Sequence, residues 1–362
     1  MASIQAEKMF GRFLFSGISY GELAATMARW QASDDWYNAW FQGAERLAGL
    51  AQRAAGEGQQ TAQRCWLEAS AMYHFAQFHL FADTAEKRLA QDCSALAYLC
   101  CAPTLSPRSE SLNFTVDGIR YTGYFRTPQP LTPRPCIILL NGLDSVKEVE
   151  LHYWSEVLNR SGLATFAFDG PGQGIARRTQ PMCDQYERVV SQALTVLARD
   201  PRVDRDHIGV FGVSFGGYLA CRVAATDPRL SAVVDLAGPF DYSFLRHARP
   251  GLQQNFCYAF GVASIDELYE QVEPAGLQAL PAPACPLLVV HGRQDQSIPY
   301  EHAEQIWQWG RNGGELQSFA DGDHVCTNRF NEVTALVADW FTTQLMPHQP
   351  PVLQDCIYGG ER

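Results

Sequence analysis

The chain has 362 residues, 46% hydrophobic and 19% charged, a composition that can bury a large core in one long domain or two. A formal net charge of −11 with scattered Lys and Arg excludes the basic surface that nucleic acid or an anionic membrane demands. Eleven cysteines show no C-x-x-C pair and no metal-ligand spacing, so free thiols in a reducing compartment and no metal site are expected. Met1 to Ser19 lacks a basic region followed by an apolar run, and no stretch approaches the roughly 20 apolar residues of a membrane span. A soluble, cytoplasmic protein is the expectation.

Residues 19–101 read as helices. Trp36, Trp40, Leu47 and Leu50 recur at helical spacing, as do Trp66, Ala69, Tyr73, Gln77 and Leu80. Gly56 to Gln60 reads as the turn between the two. Cys65 to Phe81 is apolar around most of its circumference, which requires cover on more than one side. The division expected is a helical cap over 1–105, a catalytic domain over 106–346 with further lid helices in 239–280, and a Pro-rich tail from 347 to 362. Such an apolar cap is also the expected surface for a homodimer.

From residue 111 the texture changes. Ser111–Val116 and Ile119–Phe125 alternate around Asp117-Gly118, a pair suited to a type I′ hairpin turn. Apolar runs follow at Ile137–Leu140, Ala164–Phe168, Ile208–Gly212, Ala232–Leu236 and Leu287–Val290, separated by helical stretches. Strands apolar on both faces that alternate with helices predict a mostly parallel sheet covered on both sides, an α/β fold. Leu316–Phe319 is the expected last strand and Asn331–Leu345 the closing helix.

Gly212-Val-Ser214-Phe-Gly216 ends one predicted strand and opens a predicted helix over Gly217–Thr226. In that setting the pentapeptide is a nucleophile elbow, a tight turn that exposes a serine above the sheet. The run Leu287–Gly292 delivers Asp295 just past its strand, and Asp321-Gly-Asp-His324 follows the final strand. Ser, then Asp, then His is the order in which the α/β-hydrolase fold supplies nucleophile, orienting acid and general base. Asp321 and Asp323 lie too close to His324 in the chain to be favoured as the acid, and His291 reads as structural. An oxyanion hole needs two backbone N–H groups. Phe215, next after the nucleophile, would supply one, and Leu143 in the loop Asn141–Ser145 the other. Asp144 would orient that loop, touch substrate, or cap a helix starting at Val146. Asp169-Gly-Pro-Gly-Gln-Gly174 lacks the Lys-Ser/Thr of a P-loop and reads as a structural turn, so no nucleotide cofactor is expected.

Asn141–Glu148, Asp169–Gly174, Gly212–Gly217 and Asp321–Asn328 together resemble the sequence blocks of one α/β-hydrolase branch. It contains the fermentation-respiration-switch-like esterases, the 2,6-dihydroxypseudooxynicotine hydrolases and the yellowish-green pigment heptaketide hydrolases. The resemblance runs over nearly the whole chain, including Gly17–Trp40 in the cap. It implies Ser214, Asp295 and His324 as the triad and Leu143 and Phe215 as the oxyanion donors. It also implies a cofactor-free hydrolase acting on a small carbonyl compound, either at an ester or at a carbon–carbon bond beside a ketone. In the nicotine-degrading branch a glutamate after the sixth strand assists catalysis. Phe244–Pro250 here has none, which points away from that substrate; Arg246 and His247 would face solvent or substrate. The same triad would also serve an acyltransferase or cyclase, and a binding protein on this scaffold would have a broken one.

Overall fold

A computed structural model describes residues 9–56, 58–128, 132–183, 185–272, 276–310 and 314–346. The tail expected from 347 lies outside the described residues. The chain opens with five helices: α1 (Phe10–Phe15), α2 (Tyr20–Ser33), α3 (Trp36–Ala54), α4 (Gln59–Ala76) and α5 (Ala85–Cys101). Three of these starts carry a side-chain cap. Ser19, Asp35 and Thr84 accept from the N–H of Glu22, Asn38 and Lys87, satisfying donors that a helix end leaves without partners. Residues 69–76 of α4 are buried without a break. This helix packs between α3 and α5, and Phe13, Trp40, Met72 and Phe75 form the centre of an aromatic core with it.

The remainder is an eight-stranded sheet. Its strands are β1 (Glu110–Val116), β2 (Ile119–Arg126), β3 (Arg134–Leu140), β4 (Ala164–Phe168), β5 (Val203–Val213), β6 (Leu230–Leu236), β7 (Leu287–Gly292) and β8 (Gly314–Phe319). The spatial order is β1-β2-β4-β3-β5-β6-β7-β8, and every pairing from β4 to β8 is parallel. The β1–β2 turn has Asp117 and Gly118 at φ 50° and 80°, the left-handed pair of a type I′ hairpin.

Helices cover both faces, as strands apolar on both sides require. Ile138, Leu140 and Val210 pack on one face with α7 (Tyr186–Leu197) and α8 (Phe215–Thr226). Ile137, Leu139 and Phe211 face α6 (Glu150–Arg160) and α12 (Phe330–Leu345). Between β6 and β7 the chain adds α9 (Pro250–Phe260) and α10 (Ile265–Val272), and α11 (Glu301–Trp309) precedes β8. Val146 and Val149, from the loop after β3, are buried in the aromatic core of the N-terminal helices, so the two helical and sheet regions share packing.

Candidate active site

Ser214 sits between β5 and α8 at φ 55° and ψ −126°, a conformation that is strained for a residue with a side chain. Its N–H is held by the Leu236 carbonyl at 2.7 Å. The flanking glycines make the turn possible. A Cβ on Gly212 would lie 1.9 Å from the Gly216 carbonyl oxygen, and one on Gly216 would lie 2.4 Å from the carbonyls of Leu140 and Asn141. Strand β5 therefore turns directly into α8 with the β3 terminus pressed against the turn.

His324 Nε2 lies 2.9 Å from Ser214 Oγ, and its Nδ1 lies 2.7 Å from Asp295 Oδ2. The other carboxylate oxygen, Oδ1, accepts from the N–H groups of Ser297 and Ile298 at 2.7 and 3.0 Å. Burial pushes the Asp295 carboxyl up, but the charge of His324 and these hydrogen bonds outweigh it and leave it below its usual range. For His324 burial works against the imidazolium, yet Asp295 outweighs it, so the pKa is raised above 6.5. The histidine is delivered by a tight turn, with Val325 and Cys326 at φ 55° and 52°. Asp321 pairs with Arg329 and Asp323 accepts from Thr327 at 2.6 Å. His291 is fully buried with Nε2 on the Ile298 carbonyl at 3.0 Å.

The loop after β3 is pinned from several sides. Asp169 Oδ1 accepts from Asn141 Nδ2 and from the Lys147 N–H, and Oδ2 pairs with Lys147 Nζ at 2.9 Å. Leu143 and Phe215 both line the cavity that contains Ser214. Phe215 is the first residue of α8, so its N–H has no acceptor within the helix. The helix expected from Val146 begins instead at Glu150. Val149 departs from helical geometry at φ −113° and ψ −86°, and the Lys147 amide is already committed to Asp169. Asp144 consequently caps nothing there; it pairs with Arg12 of α1 at 3.0 Å. Arg12 also reaches Glu150 Oε1 at 2.6 Å and stands 4.8 Å over the Phe78 ring.

The cavity above Ser214 and His324 has a volume of about 480 Å³, with Phe78, Phe81, Phe244 and Phe256 among its walls. Of the aromatics in the N-terminal helical region, Trp40 and Phe75 are core and Phe78 reaches the cavity. His79, Arg249 and Asn255 also line it. Sequence reasoning passed over them because no periodicity marks a residue that faces a cavity between two distant segments. Arg246 lies over the Tyr269 ring at 4.2 Å, and His247 is exposed.

An elbow serine at a parallel-sheet edge, a histidine beyond the last strand and an acid beyond the one before define an α/β-hydrolase enzyme. The chain belongs to the FrsA-like esterase family, whose sequence model matches residues 19–249; residues 184–348 also match the prolyl oligopeptidase family. It is 30% identical over 335 residues to the 2,6-dihydropseudooxynicotine hydrolase of Paenarthrobacter nicotinovorans, covering 91% of this chain and 90% of that one. It is 32% identical over 259 residues to the 20-hydroxy-prefusarin hydrolase FUS2 of Gibberella moniliformis, covering 67% of this chain and 61% of that longer one. The crystal structure of the 2,6-dihydroxy-pseudo-oxynicotine hydrolase superposes with a TM-score of 0.87 at 29% identity, covering 93% and 96% of the two chains. The protein is a hydrolase related to these enzymes, and no described helix is long and apolar enough to cross a membrane.

Proposed function

We propose that this protein is a serine hydrolase that cleaves a small, partly aromatic carbonyl metabolite through an acyl-enzyme on Ser214. The observation that carries the reading is the unbroken hydrogen-bonded chain from Asp295 through His324 to Ser214 Oγ, opening on an aromatic cavity. A serine hydroxyl is a weak nucleophile until a base takes its proton. His324 Nε2 takes that proton as Oγ adds to the substrate carbonyl, and Asp295 holds the imidazole tautomer and stabilises the imidazolium. The oxyanion formed is met by the N–H groups of Leu143 and Phe215.

His324 then returns the proton to the leaving group. For an ester this is an alcohol; for a carbon–carbon bond beside a second ketone it is the enolate carbon, whose charge that ketone delocalises. Water, deprotonated by His324, releases the acid in the second half-reaction. Net, R–CO–CH2–CO–R′ and water give R–COOH and CH3–CO–R′. The aromatic walls suit a ring-bearing substrate. Relatives named for hydrolysing 2,6-dihydropseudooxynicotine and 20-hydroxy-prefusarin support a metabolite rather than a peptide. In this reading residues 1–105 act as a cap and 239–280 as a lid, 106–346 carry the chemistry, and ten described cysteines outside any disulfide suit the reducing cytoplasm.

The test is Ser214→Ala assayed on p-nitrophenyl butyrate and on benzoylacetone in 18O-water. Activity should fall by roughly 10⁴-fold or more, and the wild-type enzyme should place one 18O in the released acid. Full turnover by the alanine variant would remove the nucleophile assignment. Hydrolysis of the ester alone would restrict the reaction to C–O bonds.

A further inference from the structure

The segment Asp169-Gly-Pro-Gly-Gln-Gly174 looks like a plain turn in the sequence, yet its one long polar side chain points back into the site. Gln173 is fully buried. Its Nε2 donates to the Asn141 carbonyl at 2.7 Å and to the Gly142 carbonyl at 3.2 Å. Its Oε1 accepts from the Gly170 N–H at 3.0 Å and from the Tyr186 hydroxyl at 2.8 Å. These partners leave no freedom in the orientation of the amide. A backbone N–H can only donate and a carbonyl can only accept, so a flipped Gln173 would face donor against donor and acceptor against acceptor.

The two carbonyls that Gln173 holds belong to the loop after β3. The Gly142 C=O and the Leu143 N–H are the two ends of one planar trans peptide and point in opposite directions. Fixing the oxygen therefore fixes the direction of the N–H. That peptide lies beside the nucleophile: a Cβ on Gly142 would stand 3.5 Å from Ser214 Cβ, and Leu143 lines the cavity with Ser214 and Phe215. On its other side the Asn141 carbonyl is pressed against Gly216 of the elbow. The loop backbone is thus held between the elbow and Gln173.

We propose that Gln173 is a positioning residue for the hydrolytic reaction: by holding the Asn141 and Gly142 carbonyls it aims the Leu143 N–H at the oxyanion formed on Ser214. This rests on the Ser214 reading above. Glutamine suits the place because it is donor and acceptor at once. An ionised glutamate could accept from Gly170 and Tyr186 but would set an oxygen against two carbonyl oxygens. The preorganisation matters because an oxyanion donor works only when it already points at the developing charge.

The isosteric variant Gln173→Glu separates this role from packing. With p-nitrophenyl butyrate, kcat should fall on the order of 10- to 100-fold, somewhat less than for outright loss of one oxyanion donor, with KM within about twofold of wild type. The sharper readout is a pair of inhibitors of equal chain length, an alkyl trifluoromethyl ketone and the corresponding methyl ketone. The first takes up the Ser214 oxygen at its carbonyl carbon and carries the resulting oxyanion, with the serine proton passing to His324; the second binds without adding. The ratio of their inhibition constants should collapse with kcat in Gln173→Glu and in Gln173→Met, and shrink less in Tyr186→Phe, which only frees the acceptor side. A folded variant at position 173 that keeps the wild-type ratio overturns the proposal. So does equal weakening of both ketones, which would mean a generally disordered site. If Gln173→Glu and Gln173→Met both fail to fold, Tyr186→Phe decides alone, and an unchanged ratio there overturns the proposal as well. Loss of hydrolysis in Ser214→Ala beside an unchanged ratio retires Gln173 alone, whereas an active Ser214→Ala retires the nucleophile reading itself.

Discussion

Asp295 and His324 share a 2.7 Å hydrogen bond, so the charge of each governs the protonation of the other. In the proposed mechanism the general base must be neutral, so the active fraction should rise with pH through the pKa of His324. Asp295 raises that pKa above 6.5, and the acid limb of kcat/KM is expected above the ordinary imidazole range. In Asp295→Asn the stabilising carboxylate is gone while burial still disfavours the imidazolium, so the limb should move to lower pH. The plateau should drop as well, by up to about 10⁴, because the asparagine no longer selects the right tautomer. A pH profile of kcat/KM from 5 to 9 for both proteins checks this; an acid limb unmoved in the variant would mean that another group controls it. Asp295 and His324 were both readable as candidates in the sequence because each falls just past a predicted strand, Leu287–Val290 or Leu316–Phe319, and strand ends share one edge of a parallel sheet. Gln173 was not legible as anything but turn, since its partners at Asn141 and Gly142 lie some thirty positions back and carry no pattern of their own.

At the scale of elements, α1 connects the N-terminal helices to the loop that bears Leu143. Arg12 donates through Nη2 to Asp144 and through Nε and Nη2 to Glu150. Burial pushes the Glu150 carboxyl up, but Arg12 and His74 outweigh it and hold it well below the usual carboxylate range. Arg12→Met would strand a buried carboxylate and should cost roughly 3 kcal/mol. It should also raise KM several-fold, since Arg12 and Asp144 both line the cavity. Arg12→Lys, with a point charge in place of a planar fork, should recover only part of both losses. Urea unfolding and steady-state kinetics on the three proteins measure the effect; parental stability and KM in Arg12→Met would show that α1 does not secure the loop. The strands themselves were readable from their apolar runs, and the β1–β2 hairpin from Asp117-Gly118. The start of α6 was not: local composition allows a helix from Val146, but Lys147 is tied to Asp169, Val146 and Val149 are buried against the N-terminal helices, and Arg12 holds Glu150. Contacts separated by 22 and 138 residues leave no trace in local propensity.

For the molecule as a whole, the number of cooperative units follows from how the helical region is anchored. Phe15 of α1 packs against Phe330 of α12, the rings tilted by 46° with centroids 4.0 Å apart. At the other end Arg178 reaches Gln91, Asp92 and the Arg88 carbonyl of α5, and Tyr258 of α9 donates to Asp83 at 2.7 Å. With Val146 and Val149 inside the aromatic core of the helices, neither region can expose its apolar surface without disturbing the other. The expected outcome is one calorimetric unfolding transition, with inactivation following it. Trp40 is fully buried at the centre of the helical core, and Trp40→Ala should cost about 3–5 kcal/mol there. For a chain of this size that corresponds to a fall in midpoint on the order of 5 °C. If the regions form one unit, heat capacity, circular dichroism and activity will all shift together in the variant, although Trp40 lies in none of the catalytic segments. Two resolved transitions, with only the first displaced by Trp40→Ala and activity lost with the second, would instead make the helical region an independently folding attachment.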